Sequence, residues 1–213
     1  MTSFTSRSRR RGVLALAAAL AALALAAPAA NAGVLVASAP NCMPQSLVQP
    51  FLPWLDLANY VVAPGGTFES GAGSWTLAGN AGVTPANEPW FVTALSDSRA
   101  LGLPAGSSAT SPTMCVGIGH PDMRLFVKRI GGTPLSTLRA DVLFEDADGH
   151  VQSLTIGHIP GGDSWSLTPQ MPIVANLLPL LPGSMTPVRF VYTPEDSAAW
   201  AIDDVYVDPW RGS

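Results

Sequence analysis

The sequence predicts an all-β, two-sheet antiparallel sandwich, and three observations carry that prediction. Glycine and proline, twenty of each in 213 residues, punctuate the chain beyond residue 32 roughly every 8–12 residues, the spacing of short strands joined by turns. The pieces between them are rich in Val, Thr, Leu, Trp and Phe, side chains that suit a pleated, half-buried surface. No segment after residue 33 keeps a 3.6-residue apolar period for long.

The N-terminus is a separate matter. "SRSRRRGVLALAAALAALALAAPAANA" has a basic head, an alanine-leucine run and small residues up to Ala32, the layout of a secretory signal peptide over residues 1–32. Its apolar run is broken by Pro28 and is shorter than the ~20 residues of a membrane span. No membrane span is expected in the mature protein. Arg10-Arg11 loosely resembles a twin-arginine signal, but Arg9 stands where that pattern wants Ser or Thr, so Sec export is expected. The expected location is extracellular or in the cell envelope.

Residues 1–32 hold four of the eleven basic residues and none of the fifteen acidic ones, so the mature chain carries seven basic residues and a net charge near −8. Such a chain is a poor partner for nucleic acid. Its length suits one domain with a real core. Two cysteines, Cys42 and Cys115, remain in an exported chain. A disulfide between them is expected, contributing about 4 kcal/mol on the chain-entropy model.

Residues 33–64 read as a proline-bearing N-terminal arm packed on the domain, pinned by Cys42, and residues 65–213 as the sandwich. The strand candidates are "GSWTL", "PWFVTAL", "PTMCVGIG", "MRLFVKRI", "TLRADVLFE", "VQSLTIG", "SWSLT", "PVRFVYT" and "AWAIDDVYV". "PIVANLLPLLPG" is apolar but bounded and interrupted by prolines, and reads as a packed loop. "EDADGHV" resembles the opening of a calcium loop at Asp146, Asp148 and Gly149. Position 157 is Gly where such a loop closes with Glu, so a hairpin is predicted, Asp-Gly being a strong turn signal.

No catalytic constellation emerges. "GGDSWS" offers Ser164, but all three histidines precede it, and Trp165-Ser166 replace the glycines that would shape an oxyanion hole. His120, His150 and His158 show no zinc-ligand spacing. A non-enzyme is expected.

The side-by-side acids Asp203 and Asp204 are the anomaly of the last strand. Strict alternation puts Ala201, Asp203, Val205 and Val207 on one face and Ile202, Asp204 and Tyr206 on the other. One carboxylate would then point where apolar neighbours point, which is costly unless a partner such as Ca²⁺ is found. The alternative is a strand at a rim in which one Asp caps a neighbouring backbone N–H. The "FESGAGSW" turn at residues 68–75, paired with a terminal "WAIDDVYV", resembles the galactose-binding-like jelly rolls, including carbohydrate-binding modules of bacterial glycoside hydrolases. The resemblance spans roughly residues 65–209. It implies a jelly-roll topology and a structural Ca²⁺ held by Glu69 and Asp204, with Asp203 the lesser choice.

A binding surface is expected on the outer sheet face. In "MRLFVK", Met123, Leu125 and Val127 are the core set, which leaves Arg124, Phe126 and Lys128 outward. In "LRADVLFE", the core set leaves Arg139, Asp141 and Glu145 outward; Arg189 is placed likewise. An aromatic among charges suits a pyranose ring, with its apolar C–H faces and hydroxyl rim, and the candidate ligand residues are Arg124, Phe126, Arg139, Asp141 and Arg189. The other readings of this face are a solvated surface with cross-strand ion pairs and, for Phe126, covering by residues 33–65. The expected function is a non-catalytic module for glycan or cell-envelope polymer. The alternative is a structural or adhesive envelope protein that binds another protein.

Overall fold

The computed structural model of the chain describes residues 34–35, 45–117, 122–146, 148–173 and 185–208. The predicted signal peptide, Cys42, His120 and most of the "PIVANLLPLLPG" loop lie outside the described residues.

Among the described residues, short alternating runs become thirteen strands: β1 (Val61–Val62), β2 (Thr76–Ala78), β3 (Gly82–Thr84), β4 (Ala100–Leu103), β5 (Ser108–Thr110), β6 (Met114–Gly117), β7 (Asp122–Ile130), β8 (Thr137–Glu145), β9 (Val151–Pro160), β10 (Ser166–Leu167), β11 (Met171–Pro172), β12 (Met185–Pro194) and β13 (Ala199–Val207). All described pairings are antiparallel. One sheet runs β10-β7-β13-β4-β3, with β1 also on β13 and β11 on β7; the other runs β2-β5-β12-β8-β9, with β6 also on β12. The protein is a two-sheet antiparallel jelly-roll sandwich.

Alternation places the core where the sequence puts it. Met123, Leu125 and Val127 of β7 and Leu138, Ala140 and Val142 of β8 face one another across the two sheets. Trp200 is the largest fully buried side chain of this layer among the described residues. It demands a glycine above it: a Cβ on Gly161 would lie 2.4 Å from the indole, so this site excludes any side chain.

The "EDADGHV" segment forms the β8–β9 hairpin turn. Gly149 takes φ +78° and donates its N–H to the Asp146 carbonyl. The Asp146 carboxylate is taken up by the N–H groups of Asp148 and His150 and by the Gln152 amide. These bonds stabilise the turn as a local Asx-type structure.

Two readings of the sequence need correction. "PWFVTAL" contains no strand: residues 89–95 are a loop, because Pro89 removes a donor, Phe91 turns to φ +54°, and a buried Glu88 carboxylate captures the N–H groups of Trp90 and Val92. The strict alternation of the last strand also fails. Opposite β7, Asp203 pairs with Phe126 and Tyr206 with Arg124, so β13 carries one extra residue there. Asp204 sits at φ +48°, a β-bulge that flips the faces of the strand. Trp200 and Ile202 face the core before it, and Val205 and Val207 after it.

For Phe126 the ligand-binding reading is overturned and the covered one holds. It does not stand on an exposed face but is fully buried in a second apolar cluster with Phe51, Tyr60 and Tyr206. Residues 51–60, including the 3₁₀ turn Leu52–Trp54, lie over the outer face of the seven-stranded sheet, with Phe51 and Tyr60 packed on Phe126. They are held by the Val48–Tyr60 bridge and by β1 against β13. Burying such an aromatic side chain stabilises by about 1.5–3 kcal/mol, which is why an amphipathic sheet face is covered here instead of solvated.

Cys115 is buried in β6, and no free thiol occurs among the described residues. Its pairing with Cys42 is a prediction. Thiol labelling of denatured, non-reduced mature protein should find no reactive cysteine; labelling of both would overturn the disulfide.

Candidate functional site

The bulge gathers acids. Asp203 is 1 % exposed and Asp204 2 %, beside a fully buried Glu88. Each Asp203 oxygen accepts a backbone N–H, Oδ1 from Asp204 at 2.9 Å and Oδ2 from Glu88 at 3.2 Å. Asp204 Oδ1 accepts the Thr93 hydroxyl at 2.8 Å, while Asp204 Oδ2 is buried without a hydrogen-bond partner among the described residues. Burial, and then the neighbouring Asp204 charge, push Asp203 up to about 8. Burial, together with the charges of Glu88, Asp97 and Glu69, pushes Asp204 up to about 7.

Glu69 lies near enough for its charge to act on Asp204, but its Oε1 already accepts the N–H groups of Ser98 and Arg99 at 2.9 and 2.6 Å. Glu69, Asp203 and Asp204 do not bring three carboxylate oxygens within 4.8 Å of one another; among the described residues only Asp146, Asp148 and His150 offer three such ligand atoms that close together. The Asp146 carboxylate in that trio is committed to the hairpin turn.

The five residues expected to bind ligand do not share a surface. Arg124 and Phe126 belong to β7 in the seven-stranded sheet, whereas Arg139, Asp141 and Arg189 belong to β8 and β12 in the other. Asp141 is nearly buried and closed upon itself, accepting from Arg139 Nε at 2.8 Å and Thr155 Oγ1 at 2.6 Å. Arg189 donates to Thr113 at 2.8 Å. Which strand joins which sheet is a long-range fact that period-two alternation does not encode.

Arg124 opens onto a different surface. A cleft of about 580 Å³ is lined by Trp54, Asp56, Asn59, Arg124 and Gln170 together with neighbouring residues of the 54–59 segment. The Arg124 guanidinium stacks 5.2 Å above the Phe51 ring, donates Nε to the Thr168 carbonyl at 2.9 Å and Nη1 to Asp56 at 2.7 Å. The Tyr60 hydroxyl donates to the same carboxylate at 2.8 Å. Burial pushes the Asp56 carboxyl up, but the Ala58 N–H, the Arg124 guanidinium and the Tyr60 hydroxyl outweigh it and hold it below its ordinary range. The Asp56 carboxylate is therefore ionised, and both groups are held in place.

Beside the cleft, Trp54 meets Trp90 edge-on with ring centroids 5.2 Å apart. Trp90 is 45 % exposed and Phe91 39 %. The two indoles rest on Phe126, which stacks under Trp90 at 5.2 Å and lies 5.5 Å from Trp54. The two tryptophans escaped the sequence reading. The available signal was the pair of Pro-Trp dipeptides in "FLPWLD" and "NEPWFV", large aromatics in turn-forming segments where a core residue is not expected.

No family model and no curated protein matches the sequence. Solved structures do resemble the chain. The CBM22-1 xylan-binding domain of Paenibacillus barcinonensis Xyn10C is 16 % identical, with a TM-score of 0.46 over 70 % of this chain and 94 % of that one. The C-terminal family 22 carbohydrate-binding module of Clostridium thermocellum Xyn10B is 20 % identical, with a TM-score of 0.47 over 72 % and 96 %. The carbohydrate-binding module TmCBM61, solved with β-1,4-galactotriose, is 17 % identical, with a TM-score of 0.41 over 70 % and 96 %. The likeness is one of strand layout.

Proposed function

We propose that this chain is an exported, non-catalytic module that binds glycan or cell-envelope polymer in the cleft beside Trp54, with Trp90 extending the contact surface. The observation that carries the reading is the cleft itself: an indole wall beside a fixed donor and a fixed acceptor, open enough for a sugar ring. A pyranose offers C–H faces to the indoles and hydroxyls to Arg124, Asp56 and Gln170. Pinning these groups before the ligand arrives lowers the entropy lost on binding.

Polysaccharide pull-down and affinity electrophoresis test the proposal. Trp54→Ala and Trp90→Ala should each weaken retention tenfold or more, about 1.4 kcal/mol, without changing the far-ultraviolet circular dichroism. Retention of no polymer by the wild-type protein would reject the reading, and capture of an envelope protein by the same surface would favour the adhesive alternative.

A structural Ca²⁺ at the bulge belongs to the same proposal. The residues suit a hard, oxygen-seeking cation: Asp204 Oδ2 is a buried oxygen without a partner among the described residues, and several carboxylates surround it. Asp204 would hold the ion, with Glu69 as the second ligand that the resemblance implies. Asp203, whose oxygens already serve backbone N–H groups, is the poorer donor. The ion would neutralise the acids and tie the last strand to the "FE" turn.

A further inference from the structure

We infer that Asp56 sets the specificity of the cleft, restricting it to neutral polysaccharide by masking the charge of Arg124. This rests on the proposed glycan-binding reading and concerns the same site.

Arg124 and Asp56 are the only charged side chains that line the cleft among the described residues, and they cancel. Their side chains are 13 % and 8 % exposed, so solvent screens the pair little and neither partner swings free. Arg124 Nε and Nη1 are committed to Thr168 and Asp56. Nη2 has no protein partner among the described residues and remains as the donor for ligand. The Asp56 carboxylate, which receives Arg124, Tyr60 and more weakly Gln170, is the matching acceptor.

One donor beside one acceptor fits two adjacent hydroxyls of a sugar, each of which both gives and takes a hydrogen bond. A uronate or phosphate would meet a guanidinium already neutralised and a carboxylate at hydrogen-bond range of it, a like-charge contact that costs affinity. The net negative charge of the mature chain acts in the same direction at longer range.

Asp56→Asn keeps the shape of the side chain and removes the mask. The experiment measures binding of the wild-type protein, Asp56→Asn and the double variant Asp56→Asn/Arg124→Gln to xylan and linear β-glucan, as neutral probes, and to polygalacturonate, as an anionic one, from 20 to 500 mM salt. The wild-type protein should bind a neutral polymer with little salt dependence and hold polygalacturonate at least tenfold more weakly. Asp56→Asn should close or reverse that preference, with polygalacturonate binding that falls as salt rises and disappears in the double variant. Wild-type binding to polygalacturonate as tight as to either neutral polymer would overturn the inference while leaving glycan binding intact. So would unchanged selectivity in a folded Asp56→Asn. If the wild-type protein binds none of the three, the glycan reading and this inference fall together; the wild-type comparison decides the matter even if the variant does not fold.

Discussion

In the presence of EDTA the protein should melt lower at pH 8 than at pH 5, by on the order of 5–10 °C, and millimolar calcium should restore most of the loss at pH 8. The cause is the pair of acids in the bulge. Burial, neighbouring charge and, for Asp204, three further acids raise Asp203 to about 8 and Asp204 to about 7 from an ordinary 3.8. A metal-free folded state therefore holds protons that the unfolded chain has released. Where the unfolded state binds fewer protons, stability falls as pH rises. The contribution is complete below about pH 4 and is lost progressively as pH climbs through the folded-state values near 7 and 8. Asp56, Glu195 and Asp146 are shifted the opposite way, so their stabilisation is present above about pH 4 and lost only at more acid pH. Burial, with the Glu69 charge, also pushes Asp97 up, so the window from pH 5 to 8 reads the bulge together with this neighbouring acid. For a domain of this size a few kcal/mol moves the melting point by the amount stated, and a bound cation adds RT ln(1 + [Ca²⁺]/Kd), about 2.7 kcal/mol at a hundredfold excess over Kd. Asp204→Asn should flatten the pH dependence, melt above the wild-type protein in EDTA at pH 8, and lose the calcium response. Asp203→Asn should keep most of that response. A melting point indifferent to both pH and EDTA would sink the ion and the buried-proton account together.

The same two acids show what a linear reading of the chain reaches. Their adjacency in an otherwise apolar strand marked them as either an ion site or a backbone cap, because a carboxylate withdrawn from water needs a partner, and Asp203 does cap the N–H groups of Glu88 and Asp204. What it did not disclose was the means of accommodation. Strict alternation forces one acid inward, whereas the protein inserts one residue, lets Asp204 take a left-handed backbone, and resumes the alternation out of phase so that Val205 and Val207 return to the core. Asp is among the few side chains that tolerate that conformation, but nothing in "AIDDVYV" fixes where the register slips. The choice depends on β7 opposite and on Glu88 and Thr93, which are more than 100 residues away in the chain.

The inward sets of β7 and β8 were legible because each strand solves the same local problem of one buried face. The outer faces were legible only in part: covering of Phe126 by the N-terminal arm was one of the readings, and it is the one the structure takes, but which face the arm reaches is decided by long-range packing. Arg124 and Phe126 look equivalent to Arg139 and Asp141 in sequence. The first pair lies beneath the 51–60 segment and the second pair on the other sheet, so a single predicted platform divides in two. Trp54 and Trp90 take over the aromatic role that Phe126 could not fill from inside the protein.

Phe126→Ala should accordingly destabilise the protein by about 3–5 kcal/mol, the range for deleting a buried aromatic ring, and should abolish polymer retention without the residue ever touching ligand. Phe126 is fully buried and contacts Phe51 at 6.0 Å, Trp54 at 5.5 Å and Trp90 at 5.2 Å. Its removal leaves a cavity beneath both indoles of the cleft region. Each indole would sink or rotate into that space, since close-packed neighbours relax only partly around a void and exposed ones relax most. Phe126→Leu keeps much of the volume, so its stability cost should be under half that of the alanine variant and retention should persist in weakened form. Denaturant melts read the first effect and polymer pull-down at 10 °C, where the alanine variant remains folded, reads the second. A folded Phe126→Ala that retains polymer as well as the wild-type protein would show that the indoles need no support from below, and the cleft beside Trp54 would lose its claim as the binding surface. If stability is untouched as well, the 51–60 segment does not cover this sheet face in solution, and Phe126 returns to the exposed surface on which its strand neighbours Arg124 and Lys128 first placed it.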